Sequence, residues 1–361
     1  MKISKLTGFN SLDSRGRPTV GVQLVLEDGK TFTAHTPSGA STGKHEALEL
    51  RDTDGGVGAA LKNINEEIAP AIVGKDADPY AIDTLLANLD PSENHSKLGA
   101  NATLAVSLAV IRAAGGENLA QYLSNSDELL IPMPMVNILS GGAHASKVMD
   151  IQDVLIIANG AKTFGEAISW ITKVREVAAK NGKSIGPSHL IADEGGLGLP
   201  FASIGAACDF VSKAIADAGL QVGTQVSIAL DIASTQLFED NKYHLKNEGK
   251  SYSAQEFIQY INNLVNNHPI ISIEDPFAED DWDTWSAFMA IAPKSLQVVG
   301  DDLFTTNATR LARGIADRSA NAILIKPNQN GLVTFTESVL KMAQGEGLRT
   351  IVSARSGETE D

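Results

Sequence analysis

The chain has a single cysteine, Cys208, in 361 residues, so it can form no internal disulfide and fits a reducing compartment. Unpaired cysteine is among the most buried residue types, and Cys208 is expected inside a helix. No apolar run approaches the roughly 20 residues that span a bilayer. The opening MKISKLTGF also lacks the apolar core of a signal peptide, which leaves a cytoplasmic protein as the expectation. Basic residues are scarce: 29 Lys and Arg face 44 Asp and Glu, a net charge of -15. That balance excludes wrapping a nucleic-acid backbone, and an anionic substrate would need local cations to enter. No two histidines stand at zinc-ligand spacing. Internal repeats and low-complexity tracts are also missing.

What is present is an ordinary globular composition, 43% hydrophobic and 20% charged, in a chain too long for one small core. Two domains are expected. In the first, TVGVQLVLEDGKTFTAHT alternates about a Glu27-Asp28-Gly29 turn and predicts a β-hairpin. From Gly58 to about Tyr122 apolar residues recur three and four apart, as in NATLAVSLAVIRAA, and predict helices. This gives an α+β domain over 1–125, with the polar SNSDE, Ser124 to Glu128, as linker.

From Ile131 to Asp361 the pattern is that of a β/α barrel. Two short strands, PMPMVNIL and DVLIIA, precede amphipathic helices near 163–180 and 203–218. Strand and helix then alternate through TIVSARS, which predicts parallel strands with helical crossovers. Seven strands are one fewer than a closed barrel needs. Either the barrel is open or the chain is part of a longer one, in which case the natural protein exceeds 38.1 kDa.

Four of these runs end in a charge: VSIALD at Asp231, IISIED at Glu274, LQVVGD at Asp301 and NAILIK at Lys326. Barrel strands converge at their carboxyl ends, so three carboxylates should meet beside one amine. Oxygen-only ligands favour Mg²⁺, and a lysine beside such a cation loses affinity for its proton. The set suits removal of a weakly acidic proton next to a carboxylate. A helix N-cap would explain any one acid alone, and strand position does not choose between Glu274 and Asp275 or between Asp301 and Asp302.

Other motifs have plain and chemical readings. PSGASTGKHE, Pro37 to Glu46, is either a flexible turn or a lid whose Ser41 reaches a phosphate or metal; its glycines are too close for a P-loop. SGGAHA sets His144, and ADEGG sets Glu194, beside paired glycines that permit close backbone approach. Arg355 and Ser356 stand at the last strand end, where Arg355 either forks onto a phosphate or pairs with Glu358 or Glu360.

Taken in order, DSRGRPTV, PSGASTGKHEALELRD, GANATLAVSLA, PMPMVNILSGGAHA, ADEGG, SIEDPFAEDDW, VGDDLFTTN, IKPNQNG and ARSGETED resemble the enolases across nearly the whole chain. The resemblance implies a small α+β domain before a barrel whose first two strands and helices are rearranged. It implies a glycolytic lyase that reversibly dehydrates 2-phosphoglycerate to phosphoenolpyruvate, and a homodimer. By motif, Asp231, Glu274 and Asp301 are similar to the ligands of one Mg²⁺ and Ser41 to a ligand of a second. Lys326 corresponds to the base and Glu194 to the acid. His144, Gln152 and Asp153 correspond to substrate contacts, and Arg355 with Ser356 to the phosphate anchor.

Three departures matter. Ala354 stands where the family has a histidine, Asp153 where it has a glutamate, and the family's sequences continue past GETED with a last strand, a second lysine and a final helix. Two alternatives follow from them: a related lyase acting on a modified phospho- or phosphono-substrate, or a non-catalytic enolase-like binding protein. Retention of both acid and base favours an enzyme.

Overall fold

The computed structural model describes residues 1–40, 42–124, 128–187 and 190–360. An antiparallel sheet opens the chain: β1 (Ile3–Leu12), β2 (Pro18–Leu26) and β3 (Thr31–His35), in that order. β2 and β3 are the predicted hairpin, and Gly29 at φ 85° supplies the left-handed residue its turn needs. β1 was not expected, because a bulge between Ile3 and Lys5 breaks its period-two pattern. It fits β2 through Gly21, where an added Cβ would lie 2.5 Å from the Phe9 ring directly opposite. Val20, Val22, Leu24 and Leu26 of β2 are buried beneath the helix Ala100–Gly115, whose Ala102, Ala105, Val106 and Ala109 face them. Most of the proposed linker, residues 125–127, lies outside the described residues.

The second part is a curled mixed sheet. β4 (Met135–Ser140), β5 (Asp153–Ile157) and β6 (Ser227–Asp231) are antiparallel to one another in turn. β4 and β5 are joined by a short connection without a crossover helix, which permits only the antiparallel pairing. Between β5 and β6 two helices, Phe164–Gly182 and Ile204–Asp217, run in succession, and β6 comes back antiparallel to β5. Cys208 is fully buried in the second of these helices.

A small sheet of β7 (Phe238–Glu239), β8 (Lys242–Leu245) and β9 (Lys250–Tyr252) follows β6. The chain then alternates as predicted through β10 (Ile270–Glu274), β11 (Gln297–Gly300), β12 (Ala322–Ile325) and β13 (Arg349–Val352), all parallel to β6. The strand order is β13-β12-β11-β10-β6-β5-β4, so β13 and β4 are the sheet edges among the described residues. Register aligns Ser140 with Asp153, Asp153 with Asp231, and Asp231 with Glu274 in one row across four strands.

The two parts meet after β12. Thr103 donates to the Gly331 carbonyl at 2.9 Å, the Val333 amide donates to Ser107 at 3.0 Å, and Thr334 donates twice to the buried Asp83. No helix among the described residues is long and apolar enough to cross a membrane.

Candidate active site

Lys326, directly after β12, makes an ion pair with Asp301, directly after β11, at 2.5 Å, and both side chains are nearly buried. Burial opposes charge on each, but the pair overrides it: Asp301 is held below the usual carboxylate range and Lys326 above the usual lysine range. Asp231 and Glu274 have no such cation. Burial pushes both well up; the charges of Asp153 and Asp301 add to the rise at Asp231, and those of Asp231 and Asp301 to the rise at Glu274. Gln152 lies behind them and donates to Asp231 Oδ2 at 2.8 Å.

The neighbours that sequence could not separate have distinct tasks. Both Asp275 oxygens accept backbone amides, from Asp301 at 3.0 Å and Asp302 at 2.7 Å, so this side chain shapes the next loop. Asp302 lies under the 37–46 loop, where a Cβ on Gly43 would sit 2.8 Å from its Oδ1. Burial and the nearby Asp301 charge raise Asp302 to about 7. Asp275, Asp301 and Asp302 present oxygens within 4.8 Å of one another, a tighter trio than the expected Asp231, Glu274 and Asp301. Asp275 gives both oxygens to backbone amides, and Asp231 accepts from the Ala233 amide at 3.1 Å as well as from Gln152, so Glu274 is the strand-end carboxyl with no side-chain hydrogen bond or ion pair among the described residues. A concentration of oxygen donors with so little local positive charge fits a hard divalent cation of the Mg²⁺ kind.

A second polar set lies toward β4. His144, in the turn Gly142–Ala145, contacts Asp153 Oδ2 through Nδ1 at 3.1 Å, and Ser140 donates to Asp153 Oδ1 at 2.5 Å. Burial works against charge on His144, yet the Asp153 carboxylate prevails and raises it to about 8. Asp153 itself is pushed to about 6, chiefly by burial. Glu194 completes the set, accepting from Ser356 at 3.0 Å and from Asn137 at 3.3 Å, with His144 Nε2 at 3.7 Å. The glycines before His144 are required here: a Cβ on Gly141 would lie 2.5 Å from the Ile151 carbonyl oxygen.

Arg355 does not take Glu358 or Glu360 as its side-chain ion-pair partner. Its fork meets Glu46 at 3.1 and 3.3 Å and Asn328 at 2.7 Å, while the Glu358 carboxylate accepts its backbone amide. The loop carrying Glu46 is pinned further by the Lys44 amide to Glu279 and by His45 to Asp280. Ser41 lies outside the described residues. Glu46, Asn328, Gln329 and Thr306 lie within quoted motifs but are not singled out in the sequence, since each is an ordinary polar residue whose partner is distant in the chain.

Lys326, Glu194, His144, Gln152, Ala354 and Arg355 line one cavity of about 1310 Å³ that is also bounded by both edge strands. The site thus combines an amine paired to one buried carboxylate, surplus carboxylates, and a separate acid held by a hydroxyl. Comparison with protein families matches residues 3–123 to the enolase N-terminal domain and residues 128–361 to the enolase C-terminal TIM barrel domain. With both domains matched in order over this geometry, the chain belongs to the enolase family.

Proposed function

We propose that this protein is a Mg²⁺-dependent hydro-lyase that reversibly dehydrates 2-phosphoglycerate to phosphoenolpyruvate. The observation carrying this reading is that Lys326 and Glu194 line one cavity together with the strand-end carboxyls of Asp231 and Glu274. Mg²⁺ held by Asp231, Glu274 and Asp301, with Ser41 serving a second ion, would supply positive charge to the substrate carboxylate and weaken the hold of Asp301 on the Lys326 proton.

Lys326 then takes the proton from C2. Electrons of that bond form the C2–C3 double bond, and Glu194 gives its proton to the hydroxyl leaving C3 as water. Arg355 and Ser356 anchor the phosphate, which requires the Arg355 fork to be shared with or surrendered by Glu46. His144 and Gln152 hold the substrate, and Asp153 holds His144. The partner is a small phosphorylated hydroxy acid, and the reading carries with it a glycolytic role, a cytoplasmic setting and a homodimer.

Hydrogen exchange at C2, followed by NMR in deuterated water with Mg²⁺ present, tests the two roles separately. Glu194→Gln should keep exchange while losing elimination, and Lys326→Ala should lose both. Exchange that persists in Lys326→Ala removes the base assignment. A second reading rests on Ala354, exposed at the cavity wall, whose small side chain leaves room for a bulkier phospho- or phosphono-substrate. Turnover of such a compound in preference to 2-phosphoglycerate would favour it.

A further inference from the structure

Thr306 stands out as a β-branched residue, fully buried, with φ 48°, directly after Thr305 at φ 46°. β-branched residues rarely enter this left-handed region, and two in succession persist only where surrounding contacts hold them. The turn is fixed by the Thr305 amide on the Asp301 carbonyl at 2.7 Å and by Asn330 on the Thr306 carbonyl at 3.1 Å. Its consequence is the position of one hydroxyl. Thr306 Oγ1 accepts the Lys326 backbone amide at 3.0 Å and donates to Gln329 Oε1 at 2.8 Å. Gln329 Nε2 donates in turn to Asp301 Oδ1 at 2.8 Å, and Asp301 Oδ2 takes the Lys326 ammonium. The hydrogen bonds close a ring that leaves Lys326 at its backbone and returns at its side chain. The second Gln329 hydrogen reaches Glu46 Oε1 at 3.3 Å, tying the ring to the residue that holds Arg355.

We propose that Thr306 and Gln329 are positioning residues that lock the Asp301 carboxylate, and with it Lys326, in the orientation needed for divalent-cation binding. The proposal rests on the metal-and-base reading above. Neither residue lines the cavity. The amide of Gln329 can present its donor to Asp301 only because Thr306 occupies its acceptor end, so the strained turn sets which way the amide faces. Removing an outer partner of a metal ligand commonly weakens metal affinity by about 10- to 100-fold.

Calorimetric titration of the full chain with Mg²⁺, alongside metal-free thermal unfolding, tests this. Gln329→Met and Thr306→Val are expected to weaken Mg²⁺ binding by about 10- to 100-fold. The double variant should be no weaker than the worse single one, because both break the same ring. Thr306→Ser separates orientation from packing: it loses a buried methyl and melts earlier, yet keeps the hydroxyl and wild-type affinity. Should Gln329→Met fail to fold, the Val and Ser pair at 306 decides. Wild-type affinity in Thr306→Val, or equal weakening in Thr306→Ser and Thr306→Val, overturns the relay. Undiminished Mg²⁺ binding by Asp301→Asn is a different failure, since it removes the metal assignment itself.

Discussion

At the residue scale, adjacent carboxylates at each strand end have opposite uses. The Glu274 side chain has no hydrogen bond or ion pair among the described residues and is pushed up chiefly by desolvation, whereas Asp275 spends both oxygens on the amides of Asp301 and Asp302. Asp275→Asn should therefore cost stability, about 1.5–3 kcal/mol for losing one charge-assisted hydrogen bond, read by chemical denaturation. Glu274→Gln should instead leave metal-free stability intact or raised while weakening Mg²⁺ binding. Equal stability losses in the two variants would contradict this division. At the cavity wall, Ala354 removes a side chain the family supplies, and restoring it by Ala354→His should raise turnover, by about 10²-fold if it acts as a preorganised hydrogen-bond donor. The sequence made Asp231, Asp301 and Lys326 legible because each ends an apolar run. It could not disclose that Arg355 reaches Glu46 or that Gln329 reaches Asp301, since nothing local marks a partner so far along the chain.

At the element scale, β2, β3 and the parallel strands were legible from alternation and from short apolar runs bounded by charge. β1 was not, because its bulge interrupts the pattern, and the β7–β9 sheet was not, because its strands are two to four residues long. The helix Pro79–Leu89 meets the helix Val333–Gly345 through Asp83, which burial pushes above its usual 3.8 despite hydrogen bonds from Thr334 and Ser107. A carboxyl raised in the folded state binds its proton more tightly there than when unfolded. Stability therefore falls as pH climbs from below 3.8 through the raised folded value, then levels. Asp83→Asn should flatten that part of the pH–stability curve, measured by urea unfolding across acid to neutral pH. An unchanged slope would show that Asp83 is not responsible for it.

At the scale of the whole molecule, the loop from the N-terminal part and the strand ends of the barrel build one site. Glu46 and Lys44 come from the first part, and Arg355, Gln329 and Glu279 from the second. The two-part architecture followed from length and from the change of pattern near Ile131, but the way the parts share a site depends on contacts no pattern encodes. Cation binding to the folded form alone should stabilise it, by about 2.7 kcal/mol at a hundred times the Kd. Chelator should remove that gain, and Asp301→Asn should show little of it to remove. The proposed metal-dependent dehydration with Lys326 as base is tested most directly by the ultraviolet absorbance of phosphoenolpyruvate formed from 2-phosphoglycerate, with Mg²⁺ and with chelator. Turnover that needs Mg²⁺ and vanishes in Lys326→Ala is the predicted result; no turnover from folded, Mg²⁺-binding protein would contradict it.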